Sequence, residues 1–184
     1  MTVSRRKFIA IAGTSAASVW LTLDSRELRA LGAHAMRAKQ FTVLSAADAA
    51  DIEAATAQII PTDETPGARE ARVVYFIDRS LATVAKTQRP VFEKGAKELR
   101  LRAAKVQPGV KSFAALPGEK QTAIIATLEK EKHPFFFALR YATIAGMLGH
   151  PDHGGNFGKV GWKWIGFDDR FSWAPPFGWY DRNA

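Results

Sequence analysis

The chain contains no cysteine. That absence excludes disulfides, iron–sulfur clusters, thiolate zinc sites and covalent c-type haem attachment together. The fold therefore holds by packing, and cysteine usage carries no information on compartment, since many exported bacterial proteins lack disulfides. Long apolar runs are missing as well. The stretch from Phe8 to Leu23 is diluted by Gly13, Thr14, Ser15 and Ser18, and it falls short of the ~20 apolar residues of a membrane span. No G-x-G-x-x-G spacing occurs, and Gly154-Gly155-Asn156 does not substitute for that dinucleotide fingerprint. The histidines are His34, His133, His150 and His153, and no Ser or Cys nucleophile pattern is set against them. In His150-Pro151-Asp152-His153 the proline bars a regular helical turn, and Asp152 alone is at hand as a further metal ligand. A glycine-rich turn with incidental histidines is the preferred reading, and a small metalloenzyme using these three residues the lesser one. Asp63 and Glu64 are adjacent acids among Thr62, Thr65 and Pro66, where helix capping explains them without catalysis. No catalytic, cofactor-binding or metal set emerges from this chain.

What is present fits one globular domain. At 184 residues with 47% hydrophobic content, the chain can bury a real core. The formal charge is +8, but five basic and two acidic groups lie in residues 1–35. The remainder holds 21 basic and 16 acidic groups, a net +5. From Arg69 to Lys111 the basic residues alternate with acids and apolar positions, as on a solvated helical face. Without a reader motif, this charge does not point to nucleic acid.

The first residues, Met-Thr-Val-Ser-Arg-Arg-Lys-Phe-Ile-Ala, look like a twin-arginine export signal. Arg5, Arg6 and Phe8 carry it, ahead of the mildly apolar stretch. Ala33-His34-Ala35 offers small residues at cleavage spacing. Residues 1–35 are thus expected to be signal and spacer, 36–150 a helical domain, and 151–184 an arm. The twin-arginine route carries folded proteins, commonly with a cofactor inserted. Nothing downstream holds a cofactor by itself, so the passenger that needs this route is expected to be a partner.

Periodicity predicts helices almost throughout the body. Ser45-Ala46-Ala47-Asp48 reads as a capping box, and Ala49, Ile52, Ala55, Thr56 and Ile59 follow at helical spacing until Pro61. Pro66 is expected at the first position of a second helix striped by Val73, Val74, Ile77, Leu81 and Val84. Pro90 opens a third, which Pro108-Gly109 breaks. A fourth spans about 118–132. A fifth, from Pro134 to Leu148, is apolar almost all round, as in a helix that is central or under a partner.

After Gly149 no period is sustained. Residues 151–184 hold nine aromatics, six glycines and three prolines, including four of the five tryptophans. Each large ring hides roughly 150–250 Å² when buried, so the arm must wrap its own bundle, lie on another protein, or do both. Trp162, Trp164, Phe167, Trp173, Phe177, Trp179 and Tyr180 are the expected partner contacts, because Trp and Tyr anchor interfaces.

Three stretches together resemble the gluconate 2-dehydrogenase subunit 3 family. The first is Ile59-Ile60-Pro61-Thr62-Asp63-Glu64-Thr65-Pro66-Gly67-Ala68 with the helix reaching Phe76-Ile77-Asp78. The second is Phe113-x-x-Leu116 leading to Gln121 and Leu128. The third is Gly146, His150-Pro151, Gly154-Gly155-Asn156, Gly161-Trp162 and Ile165-Gly166-Phe167. Pro61, Asp63, Pro66, Gly67, Gly154, Gly155 and Asn156 are its structural motif residues. His153 departs from the tyrosine common at that place.

The resemblance implies an all-α accessory subunit with no cofactor of its own. A large FAD-carrying subunit of the glucose–methanol–choline type would oxidise a sugar, sugar acid or polyol. A membrane-bound multihaem cytochrome c subunit often takes the electrons. The small subunit would stabilise the flavoprotein and supply the signal for the twin-arginine translocon, placing the complex in the periplasm. A free-standing periplasmic carbohydrate-binding or scaffold protein, using Trp162, Trp164, Trp173 and Trp179, is the alternative.

Overall fold

The computed structural model describes residues 41–170 and Ser172. Six α-helices and no strand occur among them: α1 (Ala46–Ile59), α2 (Val73–Ala82), α3 (Arg89–Val106), α4 (Gly118–Lys130), α5 (Pro134–Leu148) and the short α6 (Val160–Trp164). Tight 3-10 turns precede α3 and α6.

The Ser45 hydroxyl caps α1, accepting the Asp48 amide at 3.1 Å while donating to the Asp48 carboxylate at 2.7 Å. Alanines make α1 slender, and α2, α3, α4 and α5 all pack against it. Ile52, Ala54, Ala55, Thr56 and Ala57 are buried on nearly every side of it. Of the two positions expected for α5, central or under a partner, the central one belongs to α1, and α5 keeps an outward face carrying Phe137 and Ile144.

Around α1 the core is built from large rings and branched chains, among them Phe76, Ile77, Phe92, Leu99, Phe113 and Leu139. Phe92 and Phe135 meet edge to face, with ring centroids 5.8 Å apart. Gly95, in mid-α3, makes room for that ring: a Cβ there would stand 2.0 Å from Phe135. A mid-helix glycine costs about 1 kcal/mol relative to alanine, and the contact it permits explains its place.

Three buried polar side chains tie the loops to the bundle. Asp78 on α2 accepts the amides of Thr42, Val43 and Leu44 at 2.7, 2.9 and 2.9 Å, fixing the entry into α1. Asp51 is fully buried, takes the Ala114 amide at 2.9 Å, and pairs with Arg100 at 3.0 Å. Gln121 donates to the Leu116 carbonyl at 2.9 Å and accepts from Gln58, also at 2.9 Å. Each satisfies groups that would be costly to bury unmet.

One boundary differs from the sequence expectation. α2 begins at Val73, seven residues after Pro66, and Val84 lies beyond its end. The intervening stretch folds back on itself, with the Ala68 amide donating to the Ile60 carbonyl at 2.9 Å. Gly67 presses so close that a Cβ would fall 2.5 Å from the Pro61 carbonyl carbon.

Candidate partner interface

The 61–70 loop is held by its own acids. Asp63 accepts the Thr65 amide at 2.8 Å and its hydroxyl at 2.9 Å, so it caps a turn and not, as expected, a helix. Those bonds hold its carboxyl below the usual range. Glu70 accepts the Thr62 hydroxyl at 2.7 Å and the Gly67 amide at 2.8 Å, and the Thr62 bond lowers it likewise. Pro61, Asp63, Pro66 and Gly67 therefore shape a closed loop that delivers Ala71 and Arg72 to the start of α2.

The arm meets that loop. After α5, His150 accepts the Asp152 amide at 3.3 Å and opens the turn Pro151–His153. Gly154 then takes φ +102 with the Arg79 guanidinium against it, where a Cβ would lie 2.4 Å from the nearest nitrogen. Burial pulls the Arg79 pKa down, against the opposing pull of Asp78 and Tyr75. Gly155 lies on the Gly146 carbonyl and Gly161 on the Met147 carbonyl, where added Cβ atoms would sit 2.0 and 1.9 Å from oxygen. Only glycine allows the arm this close to the end of α5.

Asn156 locks the approach. It is fully buried in a left-handed conformation at φ 45, which asparagine tolerates better than most residues. Its Nδ2 donates to the Gly149 carbonyl at 2.9 Å, and its Oδ1 accepts the Gly161 amide at 2.8 Å. Trp162 Nε1 donates to the Leu148 carbonyl at 2.7 Å. Far along the chain, the Phe157 amide donates to Ala71 O at 3.2 Å, and the Arg72 guanidinium stands 3.5 Å over the Phe157 ring. The first and third motif stretches thus come together, whereas Phe113, Leu116 and Gln121 pack elsewhere, between α1 and α4.

The arm is therefore more ordered than a stretch without period suggested. It carries α6 and two 3-10 turns, and its first half wraps the bundle. The signal that could have shown this is the glycine spacing, since close backbone approach leaves no periodic trace. Trp162 serves this wrapping: its ring meets His150 at 5.5 Å and Phe167 at 5.1 Å. Trp164 is 49% exposed and Phe167 45%, and Phe157 and Ile165 are exposed as well. Arg5, Arg6, Phe8, Trp173, Phe177, Trp179 and Tyr180 lie outside the described residues.

His150 Nδ1 lies 3.4 Å from an Asp152 carboxylate oxygen, and its ring centroid is 5.8 Å from that of His153. Among the described residues, no three His, Asp or Glu side chains gather as a metal set. No described helix is long and apolar enough to cross a membrane.

Fold and surface together define a small all-α bundle whose glycine-clamped arm holds aromatic side chains outward. The family model for gluconate 2-dehydrogenase subunit 3 matches residues 46–169, and the chain belongs to that family. No curated protein and no solved structure matches it.

Proposed function

We propose that the chain is the non-catalytic small subunit of an exported FAD-dependent dehydrogenase that oxidises a sugar, sugar acid or polyol. Its part is to stabilise the large flavin-bearing subunit, of the glucose–methanol–choline type, and to bring the pair to the twin-arginine translocon through Arg5, Arg6 and Phe8. FAD belongs to the large subunit, and haem c to a membrane-bound cytochrome subunit that associates the periplasmic complex with the membrane.

The observation that carries this reading is family membership as a dehydrogenase subunit over residues 46–169. The outward rings of Trp164 and Phe167, on a clamped arm, add to it. Exposed aromatics on a fixed backbone bury area at little entropic cost, which suits the centre of an interface. In this proposal Trp162, Trp164, Phe167, Trp173, Phe177, Trp179 and Tyr180 form the arm's share of the contact.

An affinity pull-down from native periplasm and membranes, with mass spectrometry and an absorption spectrum, tests it. A co-purifying flavoprotein is expected. A colourless monomer that binds a sugar directly would replace this reading with the carbohydrate-binding one.

A further inference from the structure

Apart from Arg140, the outward face of α5 is apolar. Phe137, Tyr141, Ile144 and Leu148 recur at i, i+4, i+7 and i+11, which on a helix makes one continuous seam. Phe137 and Ile144 are each 39% exposed, and Tyr141 and Leu148 are half-buried. The exposed positions of α3 and α4 carry charged residues such as Glu93, Lys94, Lys97, Glu129 and Lys130, together with Leu101 and Val106 on α3. α5 has one charged residue, Arg140, which is exposed beside the seam and has no ion-pair partner among the described residues. At its C-terminal end the seam runs into the arm, through the bond from Trp162 to the Leu148 carbonyl.

We propose that this seam is a docking site for the large flavin-bearing subunit, which covers it with an apolar face and sets a carboxylate against Arg140. The proposal rests on the accessory-subunit reading above and gives it a location. Charge decides between this occupant and a second copy of the chain. Two copies packed seam to seam about a two-fold axis would set Arg140 near Arg140, and α5 offers no acid to answer them. A heterologous partner can supply that acid, and such complementarity fixes register and orientation. The seam and the arm then form one elongated interface, in which the arm supplies rings and α5 supplies a ridge.

The test is co-expression of the large subunit with tagged Phe137→Glu, Ile144→Glu and Arg140→Glu chains, with Leu101→Glu as control. Leu101 is 60% exposed on α3 and is not one of the seam residues. Seam variants are expected to lower the affinity for the flavoprotein at least tenfold, with helical circular dichroism unchanged. Arg140→Glu should also weaken it, and in that variant added salt should partly restore binding by screening the repulsion. Leu101→Glu should bind as wild type.

A photo-crosslinking phenylalanine analogue at position 144 of the otherwise native chain keeps the question open to test if a glutamate variant misfolds. A crosslink to the flavin subunit is expected, and a crosslink to a second copy, or none, overturns the proposal. If the wild-type chain retains the flavoprotein while the seam variants bind equally well, the seam is wrong and the accessory role stands. If the wild-type chain retains no flavoprotein at all, both fall.

Discussion

Asn156 holds two backbone segments together, through the carbonyl of Gly149 after α5 and the amide of Gly161. Alanine there would leave both groups unmet in a buried place and lose asparagine's tolerance of positive φ. Asn156→Ala is expected to lower unfolding stability by about 2–3 kcal/mol and to open the arm to limited proteolysis near Gly154. An unchanged urea midpoint with a protected arm would sink the clamp idea. Arg100 is a second such residue, since it answers the fully buried Asp51. Arg100→Met should cost about 3 kcal/mol, the scale for stranding a buried carboxylate. The resemblance marked Asn156 as a structural motif residue, but neither its clamp nor the Asp51–Arg100 pair was legible in the sequence. Gly-Gly-Asn reads there as a turn, and Asp51 sits in the sequence as an ordinary polar position of an amphipathic helix. Burial and partners far along the chain give these residues their weight, and neither leaves a local pattern.

At the scale of elements, hydrophobic spacing located α1, α3, α4 and α5 nearly to the residue, because helix period and capping are local physics. It failed at the start of α2, where Pro66 imitates a helix opening but Gly67 and Glu70 close a loop. It left the most apolar segment as either central or under a partner, and the bundle encloses instead the helix with the smallest side chains. α1 is thin enough for four neighbours to approach, so enlarging it disturbs several contacts together. Ala55→Leu should destabilise by about 1–3 kcal/mol through overpacking, measured by thermal or urea unfolding. The α1–α3 contact also gives acid sensitivity. Burial acts to raise the Asp48 carboxyl, but the Ser45 hydroxyl and the Arg100 guanidinium outweigh it and hold it below its ordinary 3.8. A carboxyl depressed in the folded state stabilises above its unfolded value, and that contribution disappears as pH falls through the folded value. Stability should therefore drop below pH 3.8 more steeply in the wild-type chain than in Asp48→Asn. Identical acid limbs in the two proteins would show that the pair contributes nothing.

For the whole molecule, the order of the arm changes what truncation can test. Cutting after Leu148 removes Asn156 and Trp162 along with any partner contact, so both stability and association should fall. Cutting after Arg170 keeps the clamp, and its thermal midpoint is the reference for the shorter chain. A lower affinity for the flavoprotein in that shorter chain would then report residues 171–184 alone. The fold class was readable because it rests on repeated local spacing. The meeting of the first and third motif stretches was not, since it depends on how the bundle closes.

That meeting bears on when the molecule becomes recognisable. The backbone of Phe157 is anchored by Ala71 and its ring lies under Arg72, so this part of the arm acquires its shape only after α2, α5 and the arm have assembled. A chain caught halfway through folding can form α5 but cannot display the finished surface. A partner that grips this region would therefore engage completed molecules and pass over unfinished ones, so that assembly itself becomes a form of quality control.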